Sequence, residues 1–398
     1  MKILIVSQYY YPDPFSVSLV AEQLVKNGHD VIVLTGKPNY GYHKIVPGYE
    51  KKDYEVFNGV KIYRVNVTPR KESKLSIVKN YLSFYFNARR FVNKLDDDFD
   101  IVYSVSLSPV ISISPAIKYA KKHKIKHILH CLDLWPESVV ATGITKKGTL
   151  LYNFLLKWSR KLYKSVDKIL VSSPSFRDYL KEVIGYDENK CLYVPQATNT
   201  YDIAKDEEAI KYDTRYMNIV YCGNVGKLQL IPQLIEAVEI AKKTIPLRVY
   251  VIGLGSLTDY LKSSIKERKL EDNIIYLGAI NSEHAIKYFL NADALYLGLN
   301  KNGVVGKTIP NKMTFYMSQK KPIIAAIDGD AKEVLLKSKG AIVCDETKES
   351  IAKAFIDFYA RNDKEKMGKC NYSYFKKYFD NKIITTQIEE EMKKLAKR

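Results

Sequence analysis

Residues 218–238 read NIVYCGNVGKLQLIPQLIEAV. The apolar run NIVYC is followed by the loop GNVGKLQ, which has two glycines, and apolar residues at helical spacing then continue towards Lys243. A buried strand, a glycine turn and a helix in this order form the repeating unit of an α/β sheet. In such sheets, ligands bind at the loops that follow the carboxyl ends of the strands.

The same unit recurs on both sides of this stretch. Further apolar strands are predicted towards the carboxyl terminus at 248–253, 274–278, 294–299, 322–327 and 341–344. The amino-terminal half gives strands at 2–7, 31–35, 60–67, 101–106, 128–132 and 168–173. Strands that alternate with helices indicate parallel sheets covered on both faces. We therefore expect an α/β fold with two Rossmann-like, doubly wound parallel-sheet domains that face an inter-domain cleft.

The domain boundaries follow from breaks in this pattern. We expect the first Rossmann-like domain to span residues 1–196 and the second to span 217–366. The polar and charged residues 197–216 between them are interpreted as a linker. The remaining residues, 367–398, form a long amphipathic tail.

Composition narrows the class of protein. The net charge of +19 favours an anionic partner, which could be a phosphate ligand, a nucleic acid or an anionic lipid, although a lysine-rich background gives the same number. No nucleic-acid-binding module is recognisable, so a nucleic-acid partner is not expected. Five scattered cysteines fit neither a disulfide framework nor a zinc site. No apolar run is long enough to span a bilayer, and MKILIVS is too short for a signal peptide, so we expect a cytoplasmic chain beginning at Met1.

Two short motifs are weak signals. Gly253-Leu254-Gly255 follows a strand, but Thr258 occupies the position of the third glycine of a dinucleotide fingerprint, so a tight turn is the preferred interpretation. Asp328 and Asp330 resemble a metal-binding pair, yet two aspartates alone do not make a magnesium site. We expect instead a turn around Gly329 whose backbone N–H groups approach a ligand. No metal and no other cofactor is expected.

Two lysine-bearing loops follow second-domain strands. Lys227 lies in GNVGKLQ (223–229), and Lys307 and Lys312 lie in GVVGKTIPNKMTFYM (303–317). Helix N-termini and lysines stabilise the negative charge of a departing diphosphate without a metal. Lys227 could equally be a solvated surface residue, and this is the preferred interpretation of Lys307. Lys312 is favoured for a role because it lies near a helix start.

The first domain carries polar side chains at the end of one strand, in HCLDLWPES (130–138). Asp133 could accept a proton from an attacking hydroxyl, or it could cap a helix. For His130, a histidine packed in the core is the preferred interpretation.

The sequence resembles family 4 of the retaining glycosyltransferases, which have the GT-B fold. Within the family it resembles the bacterial branch of O-antigen, capsule and exopolysaccharide assembly that includes N-acetylfucosamine transferases. The similarity covers nearly the whole chain and is carried by SQYYYPDP (7–14), TGKPNYGYHKIVPGYE (35–50), LDLWPES (132–138), YCGNVGKLQ (221–229), NADALYLGL (291–299), TIPNKMTFYM (308–317) and KPIIAAIDGDAKEV (321–334).

The resemblance implies retention of anomeric configuration, no obligatory metal and a carboxyl-terminal helix, within 367–398, that crosses back to the first domain. It implies a nucleotide-sugar donor site in the second domain, and we assign to it Gly223, Asn224, Lys227, Gly253, Ala279, Ile280, Lys307, Pro310, Lys312, Phe315, Gly329 and Asp330. It also implies an acceptor site in the first domain, and we assign to that site Pro14, Ser16, Asn39, Tyr40, Asp133, Trp135 and Glu137. Asp133, Lys312 and Lys227 are the candidate catalytic residues.

The sequence departs from the family pattern at the donor site. Many members carry two glutamates that grip the donor sugar and ribose, and Lys307 and Phe315, eight positions apart, occupy those places here. The arginine and lysine that commonly hold the diphosphate align with Asn224 and Gln229. We expect Lys227 and Lys312 to compensate, with Phe315 packing near the ribose and the backbone at 279–280 meeting the base.

The expected activity is transfer of a hexose or N-acetylhexosamine from a nucleotide diphosphate sugar, UDP-linked, to a polyprenyl-diphosphate-linked saccharide. Two alternatives remain open. A nucleotide-sugar 2-epimerase on the same fold would need no acceptor, and a non-catalytic homologue would show no turnover with any acceptor.

Residues 70–94 suggest contact with an anionic membrane surface. Basic residues flank the aromatic run YLSFYF (81–86), in which aromatics extend around more than one helix face. Aromatic side chains bordered by lysine and arginine suit a lipid headgroup interface, although a core helix with solvated charges is the alternative. We expect peripheral association with the inner face of the cytoplasmic membrane.

Overall fold

A computed structural model describes residues 1–71, 73–141, 143–198, 209–303 and 305–396. The chain divides into two compact units. The first comprises Met1–Thr198 together with Asn381–Arg398, and the second comprises Asn199–Asp380.

The first unit is built on an eight-stranded sheet. Its strands are β1 (Lys2–Ser7), β2 (Asp30–Gly36), β3 (Tyr54–Phe57), β4 (Val60–Val65), β5 (Ile101–Ser106), β6 (His127–Cys131), β7 (Lys168–Val171) and β8 (Cys191–Tyr193). They are ordered β3-β4-β2-β1-β5-β6-β7-β8, and all pairings are parallel except that of β3 with β4. The strand order therefore reverses between β1 and β5, which is the topological switch point of a doubly wound sheet.

Helices connect these strands and cover both faces of the sheet. They are α1 (Val17–Lys26), α2 (Lys74–Lys94), α3 (Ser114–His123), α4 (Glu137–Ala141), α5 (Leu150–Tyr163) and α6 (Phe176–Tyr179). Strand β1 shows why two layers are needed. Ile3 and Ile5 pack in the core that includes α1, whereas Leu4 and Val6 pack on the opposite face with Phe84 of α2. Successive side chains of a strand point to opposite faces, so a strand that is apolar throughout must be covered twice.

The second unit contains a six-stranded parallel sheet. Its strands are β9 (Met217–Cys222), β10 (Leu247–Ile252), β11 (Ile274–Gly278), β12 (Ala294–Gly298), β13 (Ile323–Ala326) and β14 (Ala341–Cys344). The order β11-β10-β9-β12-β13-β14 places the switch point between β9 and β12. The helices are α7 (Ile231–Ala241), α8 (Thr258–Glu267), α9 (Ser282–Leu290), α10 (Asn311–Ser318), α11 (Gly329–Ser338), α12 (Lys348–Tyr359) and α13 (Lys364–Tyr378).

The predicted fold class is confirmed, because each unit is a doubly wound α/β sheet. Sequence periodicity missed the two short strands at the edges of the first sheet. Strand β3 is an antiparallel edge strand of four residues, and β8 has only three. Such short runs bury too few side chains to show a clear alternation.

The carboxyl-terminal tail differs from the prediction of one crossing helix within 367–398. Helix α13 belongs to the second unit, where Met367 packs in the core, and the last helix, α14 (Asn381–Ala396), belongs to the first. Ile384, Ile388 and Met392 of α14 are fully buried among the strands and α1 of that unit. The passage from one unit to the other therefore begins at Asn381.

The predicted linker, residues 197–216, is shorter in the structure at its carboxyl end. Residues 199–208 lie outside the described residues. Ile210 donates its backbone N–H to the carbonyl of Lys287 at 3.0 Å, and the Tyr212 hydroxyl donates to the carbonyl of Tyr288 at 2.5 Å. These residues are therefore packed on α9 of the second unit rather than acting as a free linker.

Candidate functional site

In the second unit, two glycine loops meet at the carboxyl ends of β9 and β10. The backbone N–H of Gly223 donates to Ile252, and Val225 donates to Leu254, each at 2.9 Å. A Cβ atom on Gly253 would lie 1.9 Å from the carbonyl oxygen of Gly223, so only glycine permits this approach. The interpretation of residues 253–255 as a tight turn is confirmed, and the turn supports the loop after β9.

Lys312 projects onto the same loop from the first turn of α10. A Cβ atom on Gly223 would lie 2.0 Å from Lys312 Nζ, so the ammonium group lies directly over the Gly223 backbone. Nζ is 3.2 Å from Oη of Tyr221 and 4.3 Å from the centroid of its ring. Among the described residues, no carboxylate pairs with Lys312. Burial lowers the pKa of Lys312 to about 8.

This arrangement has a direct electrostatic consequence. A cation that is withdrawn from water without a counter-ion is destabilised, and an anionic ligand would relieve that cost. The carboxyl end of the first strand of the unit, at its switch point, is where such a ligand is expected. The geometry therefore makes Lys312 a candidate anion-binding group.

Asn224 and Gln229, which stand where many family members have arginine and lysine, bond to each other. Nδ2 of Asn224 donates to Oε1 of Gln229 at 2.9 Å, and the Tyr221 hydroxyl donates to the Asn224 carbonyl at 2.5 Å. Lys227 lies between them in the short 3-10 turn Lys227–Gln229, with an exposed side chain. The loop thus offers one exposed cation, and its two amide side chains are engaged with each other.

The other residues predicted for the donor site lie in loops at the carboxyl edge of the sheet, in or next to α10, or at the start of α11. Ala279 and Ile280 follow β11 directly, and Pro310 is the N-cap of α10. Phe315 is half-buried, with its ring 5.9 Å from that of Phe289 in an edge-to-face contact. Lys307 ends the 3-10 turn Val305–Lys307 and is exposed.

Gly329, around which a turn is predicted, is the first residue of α11. Its φ of 63° is in the left-handed region, and a Cβ atom there would lie 2.3 Å from the Gly306 carbonyl oxygen. The loop that carries Lys307 therefore packs against this helix start. Asp330 is half-buried in the first turn of α11. Oδ1 of Asp328 lies 3.7 Å from Nζ of Lys332. In the part of the chain that is described, no group of three or more His, Cys, Asp or Glu side chains could hold a metal.

In the first unit, Asp13 fixes the loops that follow β1 and β2. Its carboxylate accepts the backbone N–H of Tyr40 at 3.2 Å and that of Asn39 at 3.4 Å. Burial raises the pKa of Asp13 to about 6, although these two hydrogen bonds act to lower it. Sequence reasoning passed over this residue, although its position between Pro12 and Pro14 was a signal of a structured turn.

Of the acceptor-site residues predicted in these loops, Asn39 is turned inwards. It is 2% exposed, and its Oδ1 accepts from the backbone N–H of Arg70 at 3.0 Å and from Nδ2 of Asn80 at 3.2 Å. Tyr40 is 39% exposed, and the Arg70 guanidinium lies 5.2 Å from its ring centroid. Asn39 therefore positions the loop, whereas Tyr40 and Arg70 form part of its surface.

Pro14 and Ser16 belong to the same loop as Asp13, between β1 and α1. Pro14 is exposed, and Ser16 is the N-cap residue of α1, although its side chain makes no capping bond. Phe15, between them, stacks on Tyr9 with the ring centroids 5.2 Å apart. This stacking holds both residues near the carboxyl end of β1.

Asp133 follows β6 and is held by two donors. It accepts hydrogen bonds from the backbone N–H of Leu134 and the hydroxyl of Ser138, and burial still raises its pKa to about 6. Oγ of Ser138 is 3.3 Å from Oγ of Ser108, which follows β5. Asp133 therefore lies at the carboxyl edge of the sheet, close to the loop that follows β5, with a pKa suited to accepting a proton near neutral pH.

Glu137 and Trp135, which are also predicted for the acceptor site, are both buried. Glu137 is 3% exposed and accepts from the Tyr152 hydroxyl at 2.7 Å and from Nζ of Lys147 at 3.2 Å. Its carboxylate therefore ties α4 to α5. Trp135 is 7% exposed, and its indole N–H has no hydrogen-bond partner among the described residues.

The interpretation of His130 as a packed histidine is confirmed. Its ring nitrogens bond to the Tyr103 hydroxyl at 2.8 Å and to the Val194 carbonyl at 2.9 Å. Burial lowers the pKa of His130 to about 4, so the ring is neutral near pH 7.

Comparison with known proteins agrees with this architecture. Residues 16–197 match the glycosyl transferase 4-like domain, and residues 202–373 match the glycosyl transferases group 1 family. The probable glycosyltransferase WbjE of Pseudomonas aeruginosa is 26% identical over 231 residues, which are 55% of this chain and 54% of WbjE. The match thus spans about half the length of that relative.

Two solved structures share the fold. Sucrose-phosphate synthase from Thermosynechococcus elongatus superposes with a TM-score of 0.76 at 15% identity and covers 99% of both chains. HepE from Anabaena, solved in complex with UDP, superposes with a TM-score of 0.70 at 11% identity, covering 99% of this chain and 100% of HepE. These likenesses establish the GT-B type of fold. The two matched domains, which between them span nearly the whole chain, show that it joins a glycosyl transferase 4-like domain to a glycosyl transferases group 1 domain and belongs to these families.

Proposed function

We propose that this protein is a retaining glycosyltransferase that transfers a hexose or N-acetylhexosamine from a nucleotide diphosphate sugar to a lipid-linked glycan during surface polysaccharide assembly. The observation that carries the proposal is the buried ammonium group of Lys312 over Gly223, which has no carboxylate partner in the described part of the chain. A group 1 glycosyltransferase domain with such a group at its switch point is suited to a diphosphate.

The donor reaction breaks the bond between the anomeric carbon and the terminal phosphate oxygen. Negative charge then develops on the leaving nucleotide diphosphate, and a preorganised cation lowers the barrier by stabilising it. Lys312 would provide this charge from the protein side, and the exposed Lys227 would add a second cation from the same loop. With these two lysines, no metal ion is required.

We propose UDP as the nucleotide. The UDP complex of the structurally similar HepE supports this choice. The half-buried ring of Phe315, in place of a family glutamate, would pack on the ribose rather than grip its hydroxyls. The backbone at Ala279 and Ile280 would meet the base, since it follows β11 at the carboxyl edge of the sheet.

The acceptor hydroxyl oxygen forms the new bond to the anomeric carbon on the face that the phosphate leaves. Its proton must be removed as the bond forms, and the Asp133 carboxylate is the group proposed to receive it. The pKa of about 6 leaves Asp133 ionised at neutral pH while keeping it a usable base. The surface around Tyr40, Pro14 and Ser16 would contact the acceptor saccharide.

Peripheral attachment to the anionic inner face of the cytoplasmic membrane is part of the proposal. None of the described helices is both long and apolar enough to cross a bilayer. Helix α2 nevertheless exposes apolar side chains along one stripe, namely Leu75 (64% exposed), Val78 (50%), Leu82 (37%) and Phe86 (62%). Exposed lysines at 71, 74 and 79 border the stripe. An apolar stripe flanked by lysine suits the headgroup region of an anionic membrane.

The proposed acceptor is a polyprenyl-diphosphate-linked saccharide, and the proposed branch is that of the N-acetylfucosamine transferases. The similarity to WbjE, a probable glycosyltransferase, is consistent with bacterial glycan assembly. One observation favours the alternative of a homologue without turnover. Asn224 and Gln229 stand at the positions that usually bind the diphosphate, and their side chains are hydrogen-bonded to each other instead.

A two-stage experiment tests the proposal. Thermal unfolding should first show that UDP raises the melting temperature of the wild-type protein more than CMP or GDP does, because a ligand bound to the native state stabilises it. UDP release should then be followed with UDP-N-acetylhexosamines, with and without a polyprenyl-diphosphate-linked saccharide. Release that depends on acceptor supports the transferase. Equal release without acceptor indicates an epimerase, and stabilisation without any release indicates a non-catalytic homologue.

A further inference from the structure

The first unit contains an apolar cavity of about 350 Å³ beside Asp133. Its walls come from α2, the loop after β5, α4 and α5, and they are formed mainly by aliphatic and aromatic side chains, including Ile77, Ile111, Val139 and Leu155. The volume falls in the range of small-molecule pockets, about 300–1,000 Å³. The proposed sugar-transfer chemistry does not by itself explain why an apolar space lies at this place.

The polar groups of the cavity wall lie near the proposed reaction centre. Ser108 and Ser138 line the cavity, their hydroxyls are 3.3 Å apart, and Ser138 also bonds to Asp133. Trp135 lines it as well, and its buried indole N–H has no partner among the residues described. Asp133 is therefore one hydrogen bond away from the cavity wall.

Two cations complete the lining. Arg70 and Lys74 both contribute to the wall, and neither forms an ion pair with a carboxylate within the described ranges. The Arg70 guanidinium instead lies 5.7 Å from the ring centroid of Tyr81 and 3.3 Å from the Tyr9 hydroxyl. The cavity thus combines an apolar interior with unneutralised positive charge.

The cavity is continuous with the exposed apolar surface. Val78 and Leu82 of α2 line it and are 50% and 37% exposed, and Leu151 of α5 lines it and is 47% exposed. The same side chains therefore face both the interior of the cavity and the solvent. A ligand entering from an apolar phase would remain in contact with apolar side chains along its path.

We propose that this cavity binds the isoprenoid chain of the lipid acceptor, with the acceptor diphosphate held by Arg70 and Lys74. The inference rests on the proposed function for the existence of such an acceptor. An isoprenoid diphosphate that carries a saccharide combines the three features the site needs, which are an apolar chain, a multiply charged anion and a hydroxyl for Asp133. A membrane phospholipid has a single phosphate in its diester backbone, and it offers no saccharide hydroxyl to Asp133.

The two tryptophans of the chain, Trp135 and Trp158, both line the cavity. Intrinsic tryptophan fluorescence of the full-length protein therefore reports on this site alone. Titration with farnesyl diphosphate, below its micellar concentration, should give a saturable fluorescence change. Inorganic diphosphate at equal concentrations should give none, and lysophosphatidate of similar chain length should bind at least about tenfold more weakly, a difference of about 1.4 kcal/mol.

Matched variants separate the cavity from the surface around it. Leu151→Asp puts a carboxylate in the apolar wall and should weaken farnesyl diphosphate binding at least about tenfold. Leu150→Asp is the control, because Leu150 is 91% exposed and does not line the cavity. Arg70→Gln should weaken binding of farnesyl diphosphate more than binding of farnesol, since only the former carries the charge that Arg70 would hold.

Several outcomes would overturn the inference. They are no saturable change in the wild type, equal binding of lysophosphatidate, or equal binding by the Leu151→Asp and Leu150→Asp variants. A failure of the proposed function gives a different result from a failure of the cavity assignment. If farnesyl diphosphate binds as expected but no sugar is transferred to any polyprenyl acceptor, the cavity assignment holds and the reaction is wrong. If transfer proceeds with an unchanged KM for the lipid acceptor in Leu151→Asp, the reaction holds and the cavity assignment is wrong.

Discussion

Nζ of Lys312 donates a hydrogen bond to Oη of Tyr221 at 3.2 Å and lies 4.3 Å from the centroid of the Tyr221 ring. Tyr221 thus supplies both a hydroxyl and an aromatic face to a buried cation. A cation–π contact stabilises an ammonium group without neutralising its charge. The positive charge is therefore held in place and remains able to bind an anion.

Replacement of Lys312 tests this role directly. Lys312→Ala should lower turnover of the nucleotide sugar by about a hundredfold or more, the effect of losing one preorganised electrostatic contact. The melting temperature without ligand should not fall, because the variant removes a buried, unpaired charge. Lys243→Ala, at an exposed lysine in the turn that follows α7, is the control and should retain wild-type rates. A Lys312→Ala enzyme within a few-fold of wild type would remove this residue from the site.

Metal dependence is the second test. The lysines of the donor loops can supply the charge that a divalent cation would provide, so turnover should persist in excess EDTA. The measurement is UDP release before and after chelation, with magnesium added back. Complete loss that magnesium or manganese restores would contradict the expectation and would make Asp328 and Asp330 candidate ligands.

The pH profile follows from two shifted groups. Asp133 must be ionised to accept a proton, and its pKa of about 6 means that activity should fall as the pH drops through this value. Lys312 must be protonated to stabilise the diphosphate, and its pKa of about 8 means that activity should fall as the pH rises through that value. We therefore expect a bell-shaped dependence of kcat/KM between about pH 6 and 8.

Two substitutions assign the limbs of this profile. Lys312→Arg should remove the alkaline limb, because a guanidinium group stays charged in this range. Asp133→Asn should remove the acidic limb from the residual activity. If both variants keep the wild-type profile, other groups control it.

Vesicle binding tests the exposed stripe on α2. The wild-type protein should sediment with vesicles that contain anionic lipid, and binding should fall as salt screens the lysines, each worth about 1 kcal/mol near the surface. Replacing Leu75 and Phe86 together by asparagine should reduce binding at any salt concentration. Val56→Asn is the control, because Val56 is 58% exposed on β3 and lies outside the stripe. A wild-type protein that never sediments at low salt would exclude the docking surface.

Two phenylalanines on α2 give a matched test of which face supports the fold. Phe84 is fully buried between α2 and the sheet, whereas Phe86 is 62% exposed. Phe84→Ala should lower the free energy of unfolding by about 3–5 kcal/mol, and Phe86→Ala should change it by no more than about 0.5 kcal/mol. Chemical denaturation measures both. Similar losses in the two variants would show that Phe86 is covered in solution.

The sequence by itself determined most of the architecture. Runs such as KILIVS and NIVYCG are apolar over most of their length rather than at alternate positions, and such runs, joined by helices, fit parallel strands that are buried on both faces. The same pattern put Gly223, Lys312 and Asp133 at loops or helix starts next to strand ends. The ends of elements were accurate to a few residues, since glycine and proline mark them locally.

The tertiary structure decided which side chains face inwards. Asn39 and Glu137 have the polarity of ligand-binding residues, yet both are buried, because neighbouring loops and α5 supply their hydrogen-bond partners. Asp13 and Arg70 acquire importance only through contacts with residues distant in sequence. On α2, the pattern of aromatics allowed more than one buried face, and the packing against the sheet selected Phe84 over Phe86. The division of the tail at Asn381 depended likewise on which core each helix could fill. Local sequence fixes the period of an apolar pattern, but burial depends on partners that only the assembled fold brings together.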